Sequence, residues 1–215
     1  LVGSEMCIRD RDYDLVLRAA GQVLEGTPEE AYVHIPKILY HWRCHRNSTA
    51  SNPASKTYAY EAGRRALEDF GREHGWKAQA EDTRHLGFYR LEFMPDALSQ
   101  RSDLGAVAGP LPSRNGRLVS GIYDEAPDST VTMRYDGLKR RFSGYMHRAV
   151  LTQDVEAADI RTMQVRPEFR KDLDLALQEI RAGADPVRTS IAFCLALRKR
   201  GFRILWDPDR KEGIH

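Results

Sequence analysis

The sequence predicts an α/β fold, and three observations indicate it. Amphipathic helical stretches alternate along the chain with short runs of aromatic and β-branched residues. Hydrophobic residues make up 41% of the 215 residues and charged residues 30%, which is an ordinary globular composition. No apolar run reaches the length of a membrane span. These features exclude a disordered or fibrous class and a transmembrane helix.

Charge and cysteine content exclude further classes. The chain has 33 Lys and Arg residues against 31 Asp and Glu, a formal net charge of +2. No strong field therefore predicts a nucleic-acid or membrane partner. Cys7, Cys44 and Cys194 are widely spaced and form no CxxC pair, which argues against a disulfide scaffold or a zinc knuckle.

The first eleven residues, LVGSEMCIRDR, have no regular periodicity and lack the apolar centre of a signal peptide. They resemble a translated sequencing-library adapter, so residues 1–11 are left out of the fold prediction. On this interpretation Cys7 is not native and the natural N-terminal part of the protein is missing. A genuine N-terminus is the alternative.

The segment 12–95 is expected to form helices and strands in alternation. Asp12 precedes a short helical pattern over 13–20, and Gly21 is expected to end that helix. The other predicted elements of this segment are a strand over 31–43 interrupted at Pro36, an amphipathic helix over 55–74 and a strand over 86–93.

A second segment, 96–215, begins where the composition shifts after Pro95. Its glycines and prolines predict a loop-rich stretch over 96–117. Pro186 at the start and Gly201 at the end indicate the strongest helix of the chain, over 186–201. The other predicted elements are strands over 118–123, 130–135, 158–165 and 202–206 and a helix over 172–183.

Three stretches of the first segment, DYDLVLRAAG, HIPKILYHWRCHRNSTA and KTYAYEAGRRAL, together resemble the end of a family 2 glycosyltransferase domain with the GT-A fold. Bacterial enzymes that build surface polysaccharides such as O-antigen are the most similar members. The resemblance covers residues 12–93 and implies an incomplete GT-A-like, Rossmann-like domain over 12–95. It implies transfer of a sugar from a nucleotide-sugar donor to a glycan or lipid-linked glycan, in the cytoplasm or peripherally at the inner face of the membrane.

The same resemblance implies four site residues. Asp12 falls on the position of the family's catalytic base, where a carboxylate takes the proton of the attacking acceptor hydroxyl; a helix N-cap is the alternative role. Arg43 and Ser48 fall where the family binds the donor diphosphate, and His45 falls where some members ligate the metal. A divalent Mg²⁺ or Mn²⁺ ion is implied by the family, but its DxD motif is not present in this chain.

The second segment resembles the same region of a second, tandem domain less closely, through SDLGAVAGPLPSRNGRLVSGIYDE and IAFCLALRKRGFRILWDP. On this resemblance the family's acidic pair falls on Ser190 and Ala192, and neither residue can act as a base. Residues 96–215 are therefore expected to be a degenerate, catalytically empty glycosyltransferase-like part. The Asp-x-Asp at Asp207 and Asp209 is expected to be a turn rather than a metal motif.

Two function classes remain open. The chain is expected to be a fragment of a glycosyltransferase that is inactive in isolation, or a non-catalytic glycosyltransferase-like module that binds or scaffolds. Ser190 and Ala192 favour the second class for residues 96–215. Nucleic-acid binding through Lys139, Arg140 and Arg141 is disfavoured, because the net charge is small and a solvated face explains the three residues.

Overall fold

The computed structural model of the chain describes residues 11–24, 33, 35–41, 57–139 and 142–210. The chain divides between Met94 and Pro95 into two compact units, Leu1–Met94 and Pro95–His215. None of the helices within the described ranges is long and apolar enough to cross a membrane.

The first unit packs two helices against a β-hairpin. The described part of its core is small: Leu67, Phe70 and Ala80 are its buried apolar residues, and Tyr13, Trp76 and other side chains pack around them. The predicted helix over 55–74 is confirmed. The elements of this unit are α1 (Arg11–Leu24), α2 (Thr57–Glu73) and the antiparallel strands β1 (Ala78–Asp82) and β2 (Tyr89–Phe93).

Gly21 does not end the first helix, so that prediction is wrong: α1 continues to Leu24. The glycine is buried where α1 approaches α2. A Cβ atom at this position would lie 3.1 Å from the His74 ring and 3.3 Å from Phe70. The missing side chain therefore serves the close approach of two helices rather than helix termination.

The strand predicted over 31–43 is wrong for its described part, since residues 33 and 35–41 form no strand. The Lys37 N–H donates to the Ile35 carbonyl at 2.8 Å, which closes a tight turn around Pro36. Val33 and Ile38 are about four-fifths exposed, at 80% and 82%. The described part of this stretch is therefore not paired with a sheet, although its β-branched and aromatic composition is typical of a strand.

The second unit is built around a four-stranded sheet. Its central strand, β3 (Leu104–Ala108), is buried at all five residues, so the prediction of a loop over 96–117 is wrong there. The order across the sheet is β10-β3-β11-β8, and the β3–β11 pair is parallel while the other two pairs are antiparallel. The partner strands are β8 (Gln153–Val155), β10 (Gln164–Val165) and β11 (Arg203–Trp206).

Smaller elements surround this sheet. A three-stranded antiparallel sheet has β6 at its centre, and a two-stranded hairpin precedes it in the chain. These elements are α3 (Ala97–Gln100), β4 (Leu111–Arg114), β5 (Arg117–Val119), β6 (Ile122–Glu125), β7 (Val131–Met133) and β9 (Ala157–Ala158), with 3-10 helices at Tyr145–Val150, Ile160–Thr162 and Pro167–Phe169.

The two predicted helices of this unit are confirmed as α4 (Arg170–Arg181) and α5 (Pro186–Lys199). The strands predicted over 118–123 and 158–165 are each interrupted by a turn. Gly121, with φ of 69°, separates β5 from β6. Asp159 accepts a hydrogen bond from the Arg161 N–H and so starts a 3-10 turn between β9 and β10.

The core of the second unit joins the four-stranded sheet, the three-stranded sheet, α4 and α5. Trp206 is fully buried at the end of β11, and its indole N–H donates to the Ser120 carbonyl at 2.9 Å. At the opposite end of the parallel pair, Arg101 is 7% exposed, and its guanidinium donates to the carboxylates of Asp103 and Asp154. These contacts fix the two ends of the β3–β11 pair.

Candidate functional site

The structure describes one of the four predicted site residues, and only its backbone. Asp12 lies in the first turn of α1, inside the helix that begins at Arg11, so its alternative role as the N-cap is wrong. The side chain of Asp12 lies outside the described part, as do Arg43, His45 and Ser48. Their assembly into one site stays a prediction.

Ser190 and Ala192, the positions of the expected acidic pair, are both described. Ser190 is fully buried in α5, and its hydroxyl donates to the Pro186 carbonyl at 2.6 Å and accepts from the Ile160 N–H at 3.2 Å. Ala192 is exposed. The hydroxyl of Ser190, with both hydrogen-bond partners present, and the methyl group of Ala192 therefore occupy the positions where a general base would need a carboxylate.

The carboxylate beside this position in the fold is Asp159, which precedes the Ile160 amide that Ser190 binds. Asp159 has no exposed surface. Its Oδ2 accepts from the Tyr123 hydroxyl at 2.6 Å and from Nη2 of Arg161 at 2.7 Å. Its Oδ1 accepts from Nε of Arg161 at 2.9 Å and from the Arg161 backbone N–H at 3.0 Å. We call Tyr123, Asp159 and Arg161 the buried triad.

Local backbone geometry positions the buried triad. The Asp159 N–H donates to the Gly121 carbonyl at 2.8 Å. Gly121 has a φ of 69°, and a Cβ atom there would lie 3.1 Å from the Asp159 Cβ. A glycine in the left-handed region is therefore required for β6 to approach the turn that carries Asp159. Tyr123 is on β6, two residues after Gly121, so its hydroxyl meets the same carboxylate.

The electrostatics of the triad favour recognition rather than proton transfer. Burial, and then the hydrogen bond to Asp159, raise the pKa of Tyr123 well above its usual value of 10.0. The hydrogen bond to Asp159 raises the pKa of Arg161, so the guanidinium stays charged. The Asp159 carboxylate accepts four hydrogen bonds and meets no solvent. It is therefore a poor general base.

Arg161 is the member of the triad that reaches the surface, because its side chain is 34% exposed. A guanidinium carries five N–H donors, and the bidentate pair with Asp159 uses two of them. The remaining N–H donors of Arg161 lie in the plane of its guanidinium, and the pair with the buried Asp159 fixes the orientation of that plane. Such a group binds a carboxylate or phosphate oxygen with defined geometry.

Cys194 lies against the same turn and supplies no nucleophile. Its thiol is fully buried and donates to the Ala158 carbonyl at 3.4 Å. Burial raises the pKa of Cys194 to about 12, so the reactive thiolate is absent at neutral pH.

The turn predicted at Asp207 and Asp209 is confirmed. The Asp209 N–H donates to Oδ1 of Asp207 at 3.0 Å, just after the end of β11. Beside this turn, Arg210 donates to Oε1 of Gln164 at 3.0 Å. Within the described ranges, no group of three or more His, Cys, Asp or Glu side chains is arranged to hold a metal ion.

The buried triad was missed by the sequence analysis. Its members are separated along the chain, since Tyr123 and Asp159 are 36 residues apart. The available sequence signal for the triad was the Asp-Ile-Arg spacing at 159–161. This spacing is compatible with a short polar turn, but it is too common in loops to indicate a site. The long-range contact with β6 supplies the rest of the geometry.

Comparisons with known proteins give one partial similarity. A stretch of 59 residues, 27% of this chain, is 44% identical to an uncharacterized protein, y4gI, of Sinorhizobium fredii. That stretch covers 6% of the length of the relative. No family model matches the chain, and no solved structure matches it.

Proposed function

We propose that the chain is part of a family 2 glycosyltransferase that transfers a sugar from a nucleotide-sugar donor to a growing surface glycan. The proposal is supported by the positions, in the fold of the second unit, of two stretches that resemble this family. LGAVA, near the start of the first stretch, forms β3, and IAFCLALRKRGFRILW forms most of α5 and β11, so a part of each stretch lies in one pair of adjacent parallel strands. Ligands of α/β sheets bind beyond the carboxyl ends of such strands.

The two units have different roles in this proposal. In the first unit, Asp12 is the catalytic base, Arg43 and Ser48 bind the donor diphosphate, and His45 contributes to holding the Mg²⁺ or Mn²⁺ ion of the donor. In the second unit, the buried triad binds a ligand and performs no chemistry, because Asp159 is saturated by Tyr123 and Arg161. No described cluster fits the metal, so no step is assigned through it.

The test of the enzyme is a measurement of nucleoside diphosphate release from UDP-, GDP- and dTDP-sugars, with Mg²⁺ or Mn²⁺, by a reconstructed full-length parent protein, because the 215-residue chain alone is expected to be inactive. Asp12→Asn is expected to lower the rate by about 10²–10⁴-fold, since it removes the general base. Asp14→Asn is the matched control on the same turn, where Asp14 pairs with Arg18 at 2.8 Å. Equal rates for Asp12→Asn and the wild type would overturn the assignment of the base.

A second candidate function is non-catalytic glycan binding by the second unit. The observation that favours it is a partly exposed guanidinium, on Arg161, fixed by a fully buried carboxylate. If no turnover is found, this candidate predicts binding of oligosaccharides that carry uronic acid or phosphate groups over neutral ones of the same length. Arg161→Lys is expected to abolish the preference, because it keeps a positive charge beside the buried Asp159 but loses the planar, bidentate guanidinium. Arg188→Gln, an exposed arginine paired with Glu125 at 2.6 Å, is the control that should keep it.

A further inference from the structure

A two-residue turn, Asn115-Gly116, connects β4 to β5. The φ angles of Asn115 and Gly116 are 50° and 70°, so both residues lie in the left-handed region. Two consecutive left-handed residues are typical of the type I′ turn, which matches the twist of an antiparallel hairpin and favours the Asn-Gly pair. The turn thus explains why this pair stands at this point of the chain.

The side chain of Asn115 and the backbone nitrogen of Gly116 are also able to react with each other. The Gly116 nitrogen attacks Cγ of Asn115 and closes a five-membered succinimide, and the side-chain nitrogen leaves as ammonia with the proton of the Gly116 N–H. Water then opens the ring. Cleavage of the new bond between nitrogen and Cγ gives aspartate, whereas cleavage between nitrogen and the backbone carbonyl carbon gives isoaspartate. A glycine favours ring closure, because it has no Cβ atom to hinder the approach of its own nitrogen.

The surroundings of the turn leave room for this reaction. Asn115 and Gly116 are both exposed. A Cβ atom built on Gly116 would meet no atom of the described residues within 4 Å beyond its chain neighbours. The hairpin is short, because β5 has three residues, and its register is irregular between Leu111 and Arg114. A two-stranded hairpin of this length is marginally stable by itself, so its tip opens at a low cost in free energy.

We infer that Asn115 is a site of spontaneous deamidation in this chain. The chain contains two other asparagines, Asn47 and Asn52, which are followed by serine and proline. Asn52 cannot close the ring in this way, because proline carries no N–H, and Asn47 lies outside the described residues. The inference does not depend on the proposed function.

The two products are expected to act differently on the hairpin. Aspartate keeps the length of the main chain and is tolerated in the left-handed region, whereas isoaspartate adds one carbon atom to the main chain inside the turn. Beyond the turn, Arg117 donates from Nη1 to the Gly137 carbonyl at 2.5 Å, and the Leu118 N–H donates to the Leu138 carbonyl at 2.8 Å. A longer turn shifts β5 against these acceptors, so isoaspartate should loosen the hairpin and aspartate should not.

Incubation of the purified 215-residue chain in mildly alkaline buffer, followed by mass spectrometry, tests the inference. Cleavage after glutamate releases the peptide 93–125, whose only asparagine is Asn115. Within days this peptide is expected to gain the mass of water minus ammonia and to become a substrate for an isoaspartate-specific methyltransferase. Gly116→Ala is expected to slow the mass gain at least about tenfold, because the added Cβ atom hinders the attacking nitrogen. Asn115→Gln should stay unmodified over the same time, because its ring closure is less favourable.

A matched variant separates the effect of the Asn-Gly pair from the effect of its surroundings. Asp136→Asn places the same pair in the turn before Leu138, where Gly137 is half-buried and its carbonyl accepts from Arg117. Deamidation there, read from the peptide 126–156, is expected to be at least about threefold slower than at Asn115, because opening that turn breaks more contacts.

Two results would contradict this account of the turn. A folded chain that stays unmodified while the same chain in urea reacts would overturn the inference, because the folded turn would then protect Asn115. A reaction in Asp136→Asn as fast as that at Asn115 would overturn the role given to the open surroundings of the β4–β5 turn.

Discussion

At the scale of single residues, the buried charge of Asp159 determines what its two partners contribute to the stability of the fold. A carboxylate without solvent is stable only when charge and hydrogen bonds compensate its lost hydration. Arg161 provides the charge and Tyr123 provides a neutral donor. Removal of Arg161 would leave a buried, unpaired charge, whereas removal of the Tyr123 hydroxyl would leave the ion pair intact. The two partners therefore differ in what their loss costs the fold.

The phenol of Tyr123 predicts how stability changes at alkaline pH. Its folded-state pKa is raised, chiefly by burial and then by Asp159, so the protonated form stabilises the fold. That contribution is complete below pH 10, the ordinary tyrosine pKa, and is lost as pH rises through the folded-state pKa. Urea unfolding at several pH values is expected to show a steeper loss of unfolding free energy above about pH 10 in the wild type than in Tyr123→Phe.

The comparison with Tyr123→Phe is needed because Cys194 and Tyr13 also have a raised pKa and contribute to the same alkaline loss. Both groups are unchanged in the variant, so they cancel in the difference. Parallel curves for the two proteins through this pH range would contradict the prediction.

At the scale of elements, two glycines allow a matched test of the connection between β5 and β6. Gly121 and Gly116 have φ angles of 69° and 70°, so alanine meets the same backbone strain at both. A Cβ atom at Gly121 would also lie 3.1 Å from Asp159 and 3.6 Å from Leu111, whereas Gly116 has open space around it. We expect Gly116→Ala to lower the unfolding free energy by about 1 kcal/mol. Gly121→Ala should cost at least about 1 kcal/mol more, from crowding of the buried turn.

Chemical denaturation of the two alanine variants measures this difference directly. The subtraction removes the shared strain and leaves the steric contact with the turn that carries the buried triad. A cost that is the same for both variants would show that the turn relaxes without penalty.

Elements with local determinants could be predicted from the sequence. Helix α5 is determined by Asp185, whose side chain accepts from the Val187 N–H at 2.9 Å, and by Pro186 in its first turn. These signals lie within a few residues of each other, as does the i, i+4 apolar spacing of α2. Both helices were therefore predicted close to their observed ends.

Strand β3 shows why other elements could not be predicted. Its glycine-rich surroundings indicate a loop when only neighbours in sequence are considered. Gly105 is instead required by a distant residue, because a Cβ atom there would lie 2.9 Å from the Cβ of Phe202. The pairing of β3 with β11, nearly a hundred residues later, makes it a strand. The buried triad was missed for the same reason, and the site residues taken from the family resemblance stay predictions.

At the scale of the whole molecule, the described residues of the two units form cores of unequal size. The first contains three buried apolar residues among those described, whereas the second buries a continuous cluster across two sheets and two helices. Stability grows with the apolar surface that a unit buries. The second unit should therefore be the more stable one.

This inequality predicts that residues 95–215 fold alone. The fragment is expected to unfold cooperatively in thermal denaturation, at a midpoint within a few degrees of the last transition of the full chain, because the described residues of its two core clusters all lie within 95–215. Limited proteolysis of the full chain should remove the first unit first. A fragment 95–215 without a cooperative transition would contradict the independence of its core.

Trp206 gives the second unit an optical signal of its own, since the other two tryptophans, Trp42 and Trp76, belong to the first unit. The Trp206 indole is sealed in an apolar core with its N–H bonded to a carbonyl, an environment that shifts fluorescence towards short wavelengths. Trp76 is half-buried, with its ring 5.1 Å from that of His74, close enough for the imidazole to quench its emission. Loss of emission on the blue side of the spectrum will therefore follow the melting of the larger core, whereas emission gained on the red side adds contributions from all three tryptophans of the chain, Trp42, Trp76 and Trp206.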